Sequence, residues 1–134
     1  NGGARASDYA RDLVTFSRAM KAVDPTIKIG ANGPSGQYDR GELDSSGSWW
    51  QTVLQIAAPD IDFLAVHSYP VGQWGGYDHY RTSTPDFAAP ARAADAALHA
   101  WAPAQADRIH ITVTELNVIA ALAIMGLKRN PKKG

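Results

Sequence analysis

The stretch Ile61-Asp62-Phe63-Leu64-Ala65-Val66-His67 decides the fold. A short, nearly unbroken apolar run behind a proline reads as a buried strand. The residues before it read as a helix. Ser48 can cap that helix, Trp50, Val53, Leu54 and Ala57 recur at helical spacing along one face, and Pro59 ends it. The same order is written on either side. Upstream, Tyr9, Leu13, Phe16, Met20 and Val23 predict a helix with one apolar face, capped by Ser7 or Asp8 and stopped at Asp24-Pro25. The strand Ile27-Lys28-Ile29-Gly30-Ala31 follows and ends at Asn32-Gly33-Pro34. Downstream, Pro90 to Trp101 predicts a third helix with Ala91, Ala94, Leu98 and Trp101 facing inward, and Ile109 to Thr114 a third strand leading into Glu115.

Three helix-then-strand units predict an α/β fold with parallel strands, because a helical crossover is the usual way to bring the next strand in parallel. The connections after the helices are short. Those after the strands, Asn32 to Gly47 and Ser68 to Ala88, are long. Barrels and open α/β sheets both build their sites on loops at the carboxyl ends of the strands, so Asn32, His67 to Tyr69 and Glu115 become the places to look.

Composition narrows the chemistry. With 134 residues, 45% of them hydrophobic, the chain suits one globular domain. Its 13 basic residues balance 13 acidic ones, but Lys128, Arg129, Lys132 and Lys133 crowd the end. Residues 1–127 therefore hold 9 bases against 13 acids, a balance of −4 that argues against nucleic acid as a partner. No cysteine is present, which excludes disulfides, thiolate metal sites and cysteine nucleophiles. The longest apolar run, Val118 to Leu127, falls well short of the roughly 20 residues that span a membrane. His67, His79, His99 and His110 lack metal-ligand spacing, and neither a phosphate-cradling glycine loop nor a Gly-x-Ser-x-Gly elbow occurs, so no metal or cofactor is expected.

Of the two glutamates, Glu42 lies in a polar loop and Glu115 at the end of an apolar strand. A charge there needs partners or a task, and two readings are open: a structural cap or ion pair, or a catalytic carboxylate. Thr112 and Thr114 alternate with Ile111 and Val113, so one side of the strand offers hydroxyls to orient it. His67-Ser68-Tyr69-Pro70 ends the preceding strand, where an imidazole or phenol can hold a nucleophilic carboxylate ionised and aimed. The alternative is a His and a Tyr satisfied by backbone carbonyls. Trp74, Tyr77, His79 and Tyr80 sit among Gly72, Gly75 and Gly76, either to stack on sugar rings or to pin a long loop. Trp49 and Trp50 allow both readings, with Trp50 placed in the core.

Asp24-Pro25-Thr26-Ile27-Lys28-Ile29-Gly30, then Ile61 to Pro70, then Ile111-Thr112-Val113-Thr114-Glu115-Leu116-Asn117 resemble, in that order, segments of retaining clan-A glycoside hydrolases. The similarity is greatest to the alpha-L-arabinofuranosidase type and covers about residues 8–117. It implies a fragment, about half, of a (β/α)8 TIM barrel, with these segments as strands five to seven and their helices. By resemblance Glu115 is the nucleophile at the end of strand seven, and Tyr69 and His67 are the active-site pair at the end of strand six, Tyr69 donating to Glu115. Asn32, Trp74 and Tyr77 are the substrate-binding candidates, and the substrate is a carbohydrate.

The family's acid/base is the Glu of an Asn-Glu pair ending strand four. No such pair occurs in this sequence, which puts strand four upstream of Asn1, and Leu116 stands where many relatives carry Trp. Residues 1–117 are therefore expected to form a partial catalytic domain and 118–134 a divergent tail. The competing expectation is a non-catalytic α/β fragment or carbohydrate-binding remnant. In either case an incomplete barrel leaves open strand edges that invite self-association.

Overall fold

The computed structural model describes residues 5–33, 49–68, 78 and 86–116. Helix α1 (Ala6–Val23) leads to strand β1 (Gly30–Asn32), α2 (Trp49–Ala57) to β2 (Phe63–Ser68), and α3 (Ala89–Trp101) to β3 (His110–Leu116). Single 3-10 turns, Ala58–Asp60 and Pro103–Gln105, close the second and third helices. The strands form one parallel sheet in the order β1-β2-β3. Three helix-strand units side by side make the α/β architecture that the spacing of apolar residues predicted.

Alternation along β2 separates two faces. Leu64, Val66 and Ser68 are buried, while Phe63, Ala65 and His67 are only partly covered. The buried row meets the helices, which pack in sequence, α1 on α2 and α2 on α3, with α3 lying over β2 and β3. Val53, Leu54, Ile61, Leu64, Val66 and Leu98 fill the space between and lose almost all contact with water. Burial of each such side chain contributes about 1.5–3 kcal/mol, so this layer dominates stability. The opposite face carries Gly30, Phe63 and His110 in one row, then Asn32, Ala65 and Thr112. Gly30 has a local reason: a Cβ there would run into the Phe63 ring.

Some predicted faces are corrected. Helix α1 buries Ala6, Ala10 and Ser17, with Tyr9, Leu13 and Val14 partly covered, whereas Phe16, Met20 and Val23 stand in the open. Small residues line the buried side because α1 lies close against its neighbour, and the larger apolar side chains are turned away. Trp101 is likewise 41% exposed rather than inward. The helix also starts two residues too early for Ser7, and three for Asp8, to cap it; Arg5 holds the capping position with no side-chain bond.

Beneath the amino ends of the strands lies an ionic cluster on Asp62. Its carboxylate meets Lys21 Nζ at 2.7 Å, Lys28 Nζ at 3.8 Å and Arg108 Nη1 at 3.7 Å, and accepts the Ile29 N–H at 2.9 Å. Arg108 also donates to the carbonyls of Ile61 and Ala58, and Arg18 forms two bonds to Asp60. Each strand is thus tied to the next at its base. Burial alone would push the Asp62 carboxyl up, but the Lys21 bond, the Ile29 N–H and the charges of Lys21 and Lys28 together hold it below its usual value.

A carboxyl depressed on folding supplies stability that is complete above its unfolded value, about pH 4, and disappears as pH falls through the lower folded one. Asp62→Asn is therefore expected to cost about 1.5–3 kcal/mol near pH 7, the range for hydrogen bonds to charged groups. The gap from wild type should close as unfolding is followed below pH 4 by urea titration; a gap that stays constant with pH would contradict the assignment.

Candidate active site at the carboxyl end of the sheet

Asn32, His67 and Glu115 come to the same end of the sheet from three different strands. Asn32 pairs in register with Ala65, and Ala65 with Thr112, so these three share the face away from the helices. Ala65, between Asn32 and Thr112, carries only a methyl group. One step nearer the rim, His67 pairs with Glu115. His67 Nδ1 lies 3.7 Å from Glu115 Oε2, with the His side chain 20% and the Glu side chain 51% exposed. The sheet thus sets an imidazole beside a half-exposed carboxylate at the carboxyl ends of two neighbouring strands.

The backbone of Asn32 is fixed by two aromatic side chains. Its N–H donates to the Tyr9 hydroxyl at 2.7 Å, and its carbonyl accepts from the Trp49 indole at 3.1 Å. The two rings lie 5.1 Å apart, tilted by 35°. Burial pushes the Tyr9 hydroxyl above its usual value, while the Asn32 N–H pulls the other way, so it stays a neutral acceptor throughout the physiological range. Behind this pair, Gly33 leaves room for Trp50, whose ring a Cβ would strike, and the Gly33 N–H continues the ladder to Ala65. Trp49 therefore holds the end of β1, and Trp50 belongs to the core as expected.

Tyr69, Trp74 and Tyr77 lie outside the described residues, as does the segment 118–134. The contribution of Tyr9 and Trp49 was not foreseen. The available signal was an edge strand ending at Asn32, whose outward N–H and carbonyl require partners. Among the described residues no group of His, Asp and Glu is arranged to hold a metal ion, and no helix is long and apolar enough to cross a membrane.

No protein-family model matches the chain. It is 29% identical over 85 residues to an intracellular exo-alpha-(1->5)-L-arabinofuranosidase of Streptomyces lividans, a match covering 63% of this chain and 12% of the relative. A protein of the same description from Acetivibrio thermocellus is 30% identical over 82 residues, covering 61% of this chain and 14% of the relative. An exo-alpha-(1->6)-L-arabinofuranosidase of Bifidobacterium longum is 28% identical over 68 residues, covering 51% and 12%. The chain thus spans about an eighth of the length of the curated relatives it matches. Among solved structures, a family 51 alpha-L-arabinofuranosidase from Bifidobacterium longum superposes on 92% of this chain with a TM-score of 0.61, at 22% identity, over 24% of its own length. The chain is similar in sequence to alpha-L-arabinofuranosidases, and its three parallel helix-strand units have the fold of part of a (β/α)8 barrel.

Proposed function

We propose that this chain supplies part of the active site of a retaining glycosidase that cleaves alpha-L-arabinofuranosides, with Glu115 as nucleophile. The observation that carries this reading is the placement of Glu115 at the carboxyl end of β3, beside His67 and above the row of Asn32, Ala65 and Thr112. The sequence similarity to arabinofuranosidases supports it independently. In this reaction the Glu115 carboxylate attacks the anomeric carbon as the bond to the leaving oxygen breaks, giving a covalent glycosyl ester. A second carboxylic acid, about 5–5.5 Å away, protonates the leaving oxygen and then takes a proton from the water that releases the sugar. His67 and Tyr69 orient Glu115 as hydrogen-bond donors, Asn32 binds sugar hydroxyls, and Trp74 and Tyr77 offer ring faces for stacking.

The acid/base belongs, on this proposal, to a strand that pairs with the outer edge of β1. Glu42 and Glu115 are the only glutamates of the sequence, and neither follows an asparagine. Residues 1–117 then form a partial catalytic domain, and 118–134 diverge from it. The longer barrel protein should hydrolyse an aryl alpha-L-arabinofuranoside, while the 134-residue chain should not exceed its own Glu115→Gln variant. Lack of hydrolysis by the longer protein would overturn the assignment; turnover by the short chain would place the acid/base within it.

The short chain is also expected to self-associate. Phe16, Met20, Val23, Val113 and Leu116 are exposed, and among the described residues β1 and β3 have no further strand beside them. Sedimentation velocity should show mass rising with concentration, and a monomer at all concentrations would refute this expectation.

A further inference from the structure

The pairing of β2 with β3 is regular from Phe63 opposite His110 to Val66 opposite Val113, and then slips by one residue. His67 lies opposite Glu115 rather than Thr114, and Ser68 opposite Leu116. Thr114 is the extra residue. In a sheet each residue turns to the face opposite its predecessor, and a slip of one reverses the face of everything beyond it. Without the slip, Thr114 would stand beside His67, and Glu115 would share the row of Ser68.

That row belongs to the helix side. Ser68 is almost fully buried, and its hydroxyl donates to the Phe87 carbonyl at 2.8 Å, just ahead of α3. A carboxylate directed there would be turned away from His67 and from the face that carries Asn32, Ala65 and Thr112. The slip gives that place to the apolar Leu116 and leaves the carboxylate beside His67. Bulges bend a strand and re-aim its side chains, and they are rare between parallel strands, so one at this position calls for a purpose.

We propose that Thr114 is a positioning residue: as the extra residue of β3 it turns the Glu115 carboxylate to the open face of the sheet, beside His67, and assigns the helix side to Leu116. The proposal rests on Glu115 being the nucleophile for its functional meaning, but its geometry stands apart from that role. It also accounts for a departure from simple alternation. Thr112 and Thr114 were expected to form one hydroxyl row beside Glu115, whereas the slip ends that row at Thr112. The backbone of Thr114, not its hydroxyl, does the positioning.

The sequence contains no cysteine, so a pair introduced into the 134-residue chain reports a single distance. Residues opposite one another fall within the roughly 4.4–6.8 Å Cα separation that a disulfide bridges. V66C/V113C, below the slip, serves to confirm that the sheet is formed. H67C/E115C and S68C/L116C should then oxidise at least about tenfold faster than H67C/T114C and S68C/E115C. Faster closure of either of the latter pairs would overturn the proposal.

A second measurement avoids altering the pairing. The His67 ring signals in an NMR spectrum should shift on Glu115→Gln and stay in place on Thr114→Val; the reverse pattern would also overturn it. If the cross-links follow the proposed register while Glu115→Gln leaves the longer enzyme active, the slip is upheld and the nucleophile assignment alone fails.

Discussion

Glutamine in place of Glu115 should lower kcat/KM of the barrel protein that carries this segment by at least about a thousandfold, with most of the loss in kcat. Glutamine is close in size and shape to glutamate, so the space beside His67 is preserved. On the proposed mechanism it lacks the charge that would attack the anomeric carbon and cannot leave as a carboxylate when water releases the sugar. Because the Glu115 side chain is half exposed, the same substitution should change unfolding free energy by no more than about 0.5 kcal/mol. Activity and stability therefore separate at this position. A variant with activity within a few fold of wild type would remove Glu115 from the chemistry.

The largest stability effect is expected at the middle of the sheet. Leu64 is fully buried and lies between Ala31 on β1 and Ile111 on β3, where the layer of Val53, Leu54, Val66 and Leu98 meets the strands. Leu64→Ala removes three buried carbons and leaves a cavity that a close-packed layer fills only in part, a loss of about 3 kcal/mol. Against a total of roughly 5–15 kcal/mol for a domain, that would unfold a marginal chain near ambient temperature. Urea unfolding should show a lower midpoint with an unchanged slope. A cost under about 1 kcal/mol would mean that the sheet is not packed as described.

Which parts of this could be read in the sequence follows from what is local. The helix with Val53, Leu54 and Ala57 on one face, its stop before Pro59 and the strand after it are each set by neighbours within a few residues, and all three appear. So do the parallel order of the strands and the arrival of Asn32, His67 and Glu115 at one end, because chain connectivity dictates them. Periodicity does not say which apolar face another element will cover. In α1 the intervals of Phe16, Met20 and Val23 are helical, yet Ala6, Ala10 and Ser17 face inward.

Long-range pairing was not legible either. The ionic cluster on Asp62 joins residues from Lys21 to Arg108, and only the parallel sheet brings the bases of the strands together. A charged residue stands at or just before each strand in Lys28, Asp62 and Arg108, which in retrospect is the trace that cluster left. The slip at Thr114 is of the same kind. It depends on how β3 meets β2, and the alternating sequence Ile111-Thr112-Val113-Thr114 gives no local sign of it. Tyr9 carries two roles in one side chain: its ring follows the helical spacing, while its hydroxyl accepts the N–H of Asn32, 23 positions away at the end of β1.

The most direct test of the central claim, that this chain brings the nucleophile of a retaining arabinofuranosidase, is to trap the glycosyl ester. The longer protein is mixed with an activated alpha-L-arabinofuranoside whose glycosyl ester hydrolyses slowly, quenched in acid, digested and mapped by mass spectrometry. One added sugar is expected on the peptide containing Glu115, absent from the Glu115→Gln variant. A sugar attached to any other carboxylate would contradict it.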